Sequence, residues 1–166
     1  MKDLLAPGLR VLFCGINPSL YSAVVGVHFA RPGNRFWPSL HASGFTPRRL
    51  DPSEQEELLA LGLGITNVVD RATASADLLA PEELAEGAKS LARKVKRHRP
   101  RYLAVLGLGA YRTAFARPKA RFGPQEETLG DTRLWVLPNP SGLNASYQLP
   151  DLARLYGELR RAAEAR

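Results

Sequence analysis

The stretch Leu12-Phe13-Cys14-Gly15-Ile16-Asn17-Pro18-Ser19-Leu20 passes without a spacer from an apolar segment into a loop of Gly, Asn, Pro and Ser. Five of the six residues from Leu9 to Cys14 are apolar, with β-branched and aromatic types among them. That pattern predicts a strand buried on both faces, as in a parallel sheet covered by helices. Gly15 permits a sharp exit, Pro18 removes an N–H and stiffens the loop, and Asn17 between them offers both an amide donor and a carbonyl acceptor. Ligands of open α/β sheets bind just beyond the carboxyl ends of strands, which is where Asn17 would sit. Taken alone, the loop has a second reading: Asn17 closes its own turn.

A loop of the same kind recurs at Leu134-Trp135-Val136-Leu137-Pro138-Asn139-Pro140-Ser141-Gly142-Leu143-Asn144. Again an apolar strand ends in Asn-Pro-Ser. Two such loops at one sheet edge can serve one cleft.

Between them the chain alternates. A short helix is expected from about Asn34, capped by that residue and ended by Gly44. Asp51-Pro52-Ser53-Glu54 reads as a capping box opening a helix to about Leu61, followed by a strand from Ile65 to Val69 with Asp70 at its far end. Pro81-Glu82-Glu83 opens a long helix whose last turns hold Arg93, Lys94, Lys96 and Arg97, an order that favours the helix dipole. This basic cluster therefore reads as a solvated helix end, the alternative being a DNA contact. Tyr102 to Leu106 is a third strand, followed by a helix at about Ala110 to Ala116, a basic loop to Pro124, a short strand at Glu127 to Leu129 and the last strand at Leu134 to Leu137. Gly107-x-Gly109 lacks the third glycine, the lysine and the acid of a phosphate-binding fingerprint. From Asp151, Leu152, Leu155, Tyr156 and Leu159 line one face of a closing helix. The expected fold is α/β, a three-layer α/β/α sandwich around a mostly parallel sheet of four or five strands, with residues 1–166 forming one domain.

A formal charge of +7 implies attraction to a polyanion. Cys14 is the only cysteine, so a disulfide framework and a cysteine-rich metal site are excluded, and His28, His41 and His98 lack metal-ligand spacing. No apolar run approaches membrane-spanning length, so a soluble cytoplasmic, nucleoid-associated monomer with no cofactor, metal or membrane partner is expected.

Nearly the whole chain resembles the mismatch-specific uracil-DNA glycosylases, the Mug and thymine-DNA glycosylase branch of the uracil-DNA glycosylase superfamily. The resemblance rests on Gly15 to Leu20, His28-Phe29-Ala30-Arg31-Pro32-Gly33-Asn34-Arg35-Phe36-Trp37, Ile65-Thr66-Asn67-Val68-Val69-Asp70-Arg71, and Asn139 to Leu143, in matching order and spacing. It implies excision of uracil, and by extension thymine or etheno-cytosine, opposite guanine in double-stranded DNA, leaving an abasic site. Asn17 would position the attacking water, Phe29 would be the floor on which a flipped pyrimidine stacks, and Ile16 would complete the pocket. Ser22 would face the 5-position of the base. Asn139, Pro140 and Ser141 stand where family-1 enzymes carry His-Pro-Ser, which implies weaker activity on simple uracil. Gly142 would let backbone approach the opposite guanine, and Leu143 would be the wedge. Where relatives carry Ser-Arg after the wedge, this chain has Asn144-Ala145.

Asp70 has two readings: a general base if it reaches the cleft, or a helix cap or partner of Arg71. No lysine adjoins either loop to form a Schiff base, so cleavage without strand scission is expected. The competing functions are a mismatch or abasic-site binding module with little turnover, and a nucleotide or sugar-phosphate enzyme using the same sheet edge.

Overall fold

Apolar five-residue runs form the centre of the molecule. The computed structural model describes residues 1–165. Strands β1 (Val11–Gly15), β2 (Leu63–Asn67), β3 (Tyr102–Leu106) and β5 (Thr132–Leu137) are parallel. The edge strand β4 (Gly123–Leu129) is antiparallel to β5, and the order is β2-β1-β3-β5-β4. Helices α1 (Leu20–Val25), α2 (Phe36–Ala42), α3 (Glu57–Ala60), α4 (Pro81–His98), α5 (Leu108–Ala114) and α6 (Leu149–Glu164) complete the chain.

Alternate residues of each strand feed two separate cores. On one face, Phe13, Ile65, Ala104 and Trp135 pack against Phe36 and Leu40 of α2 and Leu152, Tyr156 and Leu159 of α6. On the other, Leu12, Cys14, Leu103, Val105 and Val136 meet Leu84, Leu91 and Val95 of α4 and Tyr111 of α5. The Phe13 ring stands edge-on to Phe36 and Phe45 at centroid distances of 5.4 and 5.3 Å. Each such side chain contributes roughly 1.5–3 kcal/mol through burial. The result is the expected sandwich of two helical layers on a mostly parallel sheet.

Topology then locates the cleft. The chain leaves β1 towards β2 but leaves β3 towards β5, so strand order reverses between β1 and β3 and opens a crevice at their carboxyl ends. Both Asn-Pro-Ser loops emerge there.

Strand β2 and helix α5 each lie two residues earlier than the sequence reading, and three elements depart from it in kind or extent. Helix α1 has one buried residue, Ser22, while Leu20, Tyr21, Val24 and Val25 lie exposed, so it has no apolar stripe to betray it. Ser19 caps it, its Oγ accepting from Ser22 N–H at 3.0 Å. The capping box at Asp51 opens a single 3₁₀ turn at Pro52–Glu54, and the α-helix follows only at α3. Strand β4 begins four residues earlier than Glu127, because its polar alternation marks an edge strand that only pairing with β5 defines.

Candidate active site

Beyond the carboxyl ends of the parallel strands lies a cavity of about 340 Å³, lined by Gly15, Ile16 and Asn17 after β1, Asn67 ending β2, Leu106 ending β3, and Asn139 and Ser141 after β5. Ser22, His28, Phe29, Arg31, Thr73 and Leu143 also line it. Of the residues singled out from sequence, Ile16, Asn17, Ser22, Phe29, Asn139, Ser141 and Leu143 therefore share one wall system. Pro140, Gly142 and Asp70 do not line it.

The Asn17 amide has a forced orientation. Its Nδ2 donates to the Arg71 carbonyl and to Thr73 Oγ1, both at 2.8 Å. Arg71 O can only accept, and the Thr73 hydroxyl already donates to Ser75 O at 2.7 Å, so nitrogen must face both. Asn17 Oδ1 has no partner among the described residues. The amide thus offers the cavity an acceptor. Around it, Thr73 N–H donates to Pro18 O and Leu20 N–H to Thr73 O, each at 3.2 Å, which fastens the first loop to the segment after β2.

Arg71 makes no ion pair with Asp70 among the described residues. Its guanidinium pairs with Glu83 at 2.8 Å, and this neighbour, with the Ala80 N–H, holds the Glu83 carboxyl down at about 2. The pair joins the loop carrying the Arg71 carbonyl to the first turn of α4. Asp70 is exposed on that loop outside the cavity lining, and of its readings the pair with Arg71 is not made, Arg71 pairing with Glu83 instead.

Phe29 is half-buried, with its backbone in the left-handed region at φ +53°, an uncommon conformation for an aromatic residue. Hydrogen bonds on both sides hold it there. His28 N–H donates to Gln55 Oε1 at 2.9 Å, Trp37 Nε1 donates to His28 O at 3.0 Å, and Ala30 N–H donates to Ser22 Oγ at 3.0 Å. The Phe29 ring stacks on Phe36 with centroids 4.2 Å apart. A Cβ at Gly15 would come within 3.2 Å of Phe29 Cζ and 2.6 Å of Asn67 Oδ1, so the glycine is what lets ring and amide meet over the end of β1. Burial pushes the His28 imidazole below its ordinary range, although Nε2 lies 2.7 Å from Lys2 O.

The second loop has the opposite polarity. Asn139 Oδ1 accepts from Ser141 N–H at 3.0 Å, leaving Nδ2 as the group without a partner among the described residues. Leu143 is 70% exposed at the tip, its N–H held by Ser141 Oγ at 3.2 Å. A Cβ at Gly142 would lie 2.7 Å from Gly33 O, so the loop packs backbone to backbone against the turn before α2.

Two residues that sequence reasoning left without a role organise this site. Asn67 faces Gly15 in the β1–β2 register, and its side-chain amide is unpartnered among the described residues. Arg35 donates from its guanidinium to the carbonyls of Pro140 at 3.3 Å, Ser141 at 2.5 Å, Asn144 at 3.0 Å and Tyr147, and its own N–H adds a bond to Pro140 O at 2.9 Å. Only its place in the motif could have flagged it. Among the described residues, no lining side chain is a carboxylate or a lysine, Arg31 is the one cationic lining side chain beside the Met1 amino group, and no group of His, Cys, Asp or Glu could hold a metal.

Three amides and a stacked aromatic ring at the reversal point of a parallel sheet suit the recognition of a planar, uncharged heterocycle. The fold resembles the solution NMR structure of a candidate uracil DNA glycosylase from Methanosarcina acetivorans, with a TM-score of 0.63 at 19% identity over 96% of each chain. The family model of the uracil DNA glycosylase superfamily matches residues 2–160. The chain belongs to the uracil DNA glycosylase superfamily, the hydrolases of base-excision repair that act on DNA.

Proposed function

We propose that the protein is a monofunctional, mismatch-directed uracil-DNA glycosylase of the Mug and thymine-DNA glycosylase branch, acting on uracil opposite guanine in duplex DNA. The observation that carries this reading is the Asn17 amide, fixed with its oxygen free in a cavity that has no carboxylate. A flipped pyrimidine stacks on Phe29, worth about 1–3 kcal/mol. The Asn67 amide is suited to the donor and acceptor edge of uracil, and Asn139 Nδ2 supplies an N–H to an oxygen on which charge develops. As the C1′–N1 bond breaks, its electron pair leaves with the base. Water held by Asn17 Oδ1 then bonds to C1′, and its proton is lost to solvent. An amide orients water but does not take its proton, so the chemistry relies on positioning and on the stability of the departing uracil anion.

Leu143 serves as the wedge that enters the stack when the target nucleotide leaves, and its exposure suits that role. With no lysine side chain among the described lining residues, strand scission through a lysine Schiff base is not expected and the reaction stops at the abasic site.

The test is single-turnover cleavage of duplexes holding one G·U, G·T, A·U or G·etheno-cytosine pair, beside single-stranded uracil DNA, with alkali used to reveal abasic sites. Alkali-dependent cleavage confined to pairs opposite guanine is expected. Tight binding to mismatches without cleavage would instead make the protein a binding module.

A further inference from the structure

The amino-terminal edge of the sheet, opposite the cavity, holds a cluster of cations that base excision does not use. Lys96 lies in the last turn of α4, Arg99 follows it with φ +54°, Arg101 precedes β3 and Arg133 is the second residue of β5. Arg133 N–H donates to Arg101 O at 3.0 Å and Arg101 N–H to Leu9 O at 2.8 Å, which sets these backbones side by side at the edge, with Arg133 in alternation with Trp135 on the α6 face of the sheet and Lys96 on the α4 face. Lys96, Arg99 and Arg101 line a groove between the end of α4 and the β4–β5 turn.

The dipole of α4 accounts for Lys96 but not for arginines on β5 and ahead of β3. Among the described residues one carboxylate, Asp131, lines the groove. It lies 3.4 Å from Arg99, and both side chains are so exposed, at 91% and 75%, that the pair compensates little charge. Arg101 donates to a neutral carbonyl, Ala165 O, at 3.3 Å. Five-residue strands separate this edge from the cavity by roughly 16 Å, so both edges can be occupied together.

We propose that this edge is a second DNA-binding surface, which grips the phosphate backbone of an undamaged duplex while the cavity edge engages a lesion. The inference rests on the glycosylase reading of the cavity. DNA fits best because it is the polyanion on which this superfamily acts, and because the nearest aromatic residues, Tyr102 and Trp135, are buried and present no ring on which a single-stranded base could stack. Contacts limited to phosphates are independent of sequence. They would let the protein pass between DNA segments without complete release.

To test this, the full chain is saturated with a donor-labelled duplex carrying a non-cleavable abasic-site analogue and titrated with an acceptor-labelled undamaged duplex. Energy transfer reads the ternary complex, and sedimentation reads its stoichiometry. One protein should hold two duplexes, and affinity for the second should fall roughly 100-fold between about 50 and 200 mM salt, as four phosphate contacts require. Combined Lys96→Glu, Arg99→Glu and Arg133→Glu should weaken the second duplex at least about tenfold while leaving single-turnover cleavage of the first unchanged. The milder pair Lys96→Gln and Arg133→Gln should lower the salt slope by roughly two. Absence of the ternary complex, its survival after charge reversal, or stronger capture of RNA than of DNA would overturn the proposal. If the analogue duplex binds no better than undamaged DNA, the cavity reading fails by itself. Undamaged duplex alone then decides: binding lost on charge reversal supports the second surface, and indifference overturns it.

Discussion

The two Asn-Pro-Ser loops share a tripeptide and a sheet edge, yet their amides are turned in opposite senses. Asn17 commits both N–H groups to Arg71 O and Thr73 Oγ1 and keeps its oxygen free. Asn139 commits its oxygen to Ser141 N–H and keeps its nitrogen free. One loop therefore presents an acceptor suited to water, and the other a donor suited to a base oxygen. The residue type supplies both possibilities, and the neighbours choose between them.

The comparison breaks most severely at Asn17. Asn17→Ala should lower the single-turnover rate by about 10²–10³-fold, with mismatch binding nearly intact in a gel-shift titration. Asp70→Asn, on the exposed loop outside the cavity, should stay within about twofold. The reverse ranking would move the water to the carboxylate.

Asn139→Asp sharpens the contrast from the other side. The new carboxylate can still accept from Ser141 N–H and keep the loop's shape, but it removes the free donor and places negative charge near the departing base. A loss of about 10–100-fold in rate is expected, with the melting temperature unchanged by calorimetry. Equal losses of rate and stability would make Asn139 a scaffold residue only.

Arg35→Gln tests whether the second loop must be held in shape. Several carbonyls lose a shared donor, so single-turnover cleavage of a G·U duplex should fall about tenfold.

The smallest effect separates the amides, which do not titrate, from the wall beside them. Burial lowers the folded-state pKa of His28, so below its ordinary value of 6.5 the unfolded chain takes up a proton that the folded chain resists. The stability that His28 confers is therefore full above 6.5 and is lost as pH falls below it, by no more than about 1.4 kcal/mol per pH unit. Urea melts between pH 7 and pH 5.5 should show this decline, and His28→Gln should remove it.

Much of this was legible in the chain because the central strands are short apolar runs that stop at Gly, Asn or Pro. Tyr102 to Leu106 falls where the run alone puts it. The two loops were legible for the same reason, since strand ends and turn formers are local. What could not be read is what depends on partners far along the chain. Thr73 is 56 residues from the amide it orients, and Arg35 is more than 100 from the loop it ties. Strand β4 exists by pairing, and α1 buries a single serine, so neither leaves an apolar period in the sequence.

The Arg35 tether also bears on how the enzyme should fail with heat. Arg35 immediately precedes α2, which packs against α6 through the same core as Phe13. The Leu143 loop is thus coupled to the cooperative unit of the protein rather than to its fraying surface, despite lacking helix or strand of its own. Cleavage of duplex DNA should persist up to the temperature at which the core itself unfolds, then vanish with it in a single transition.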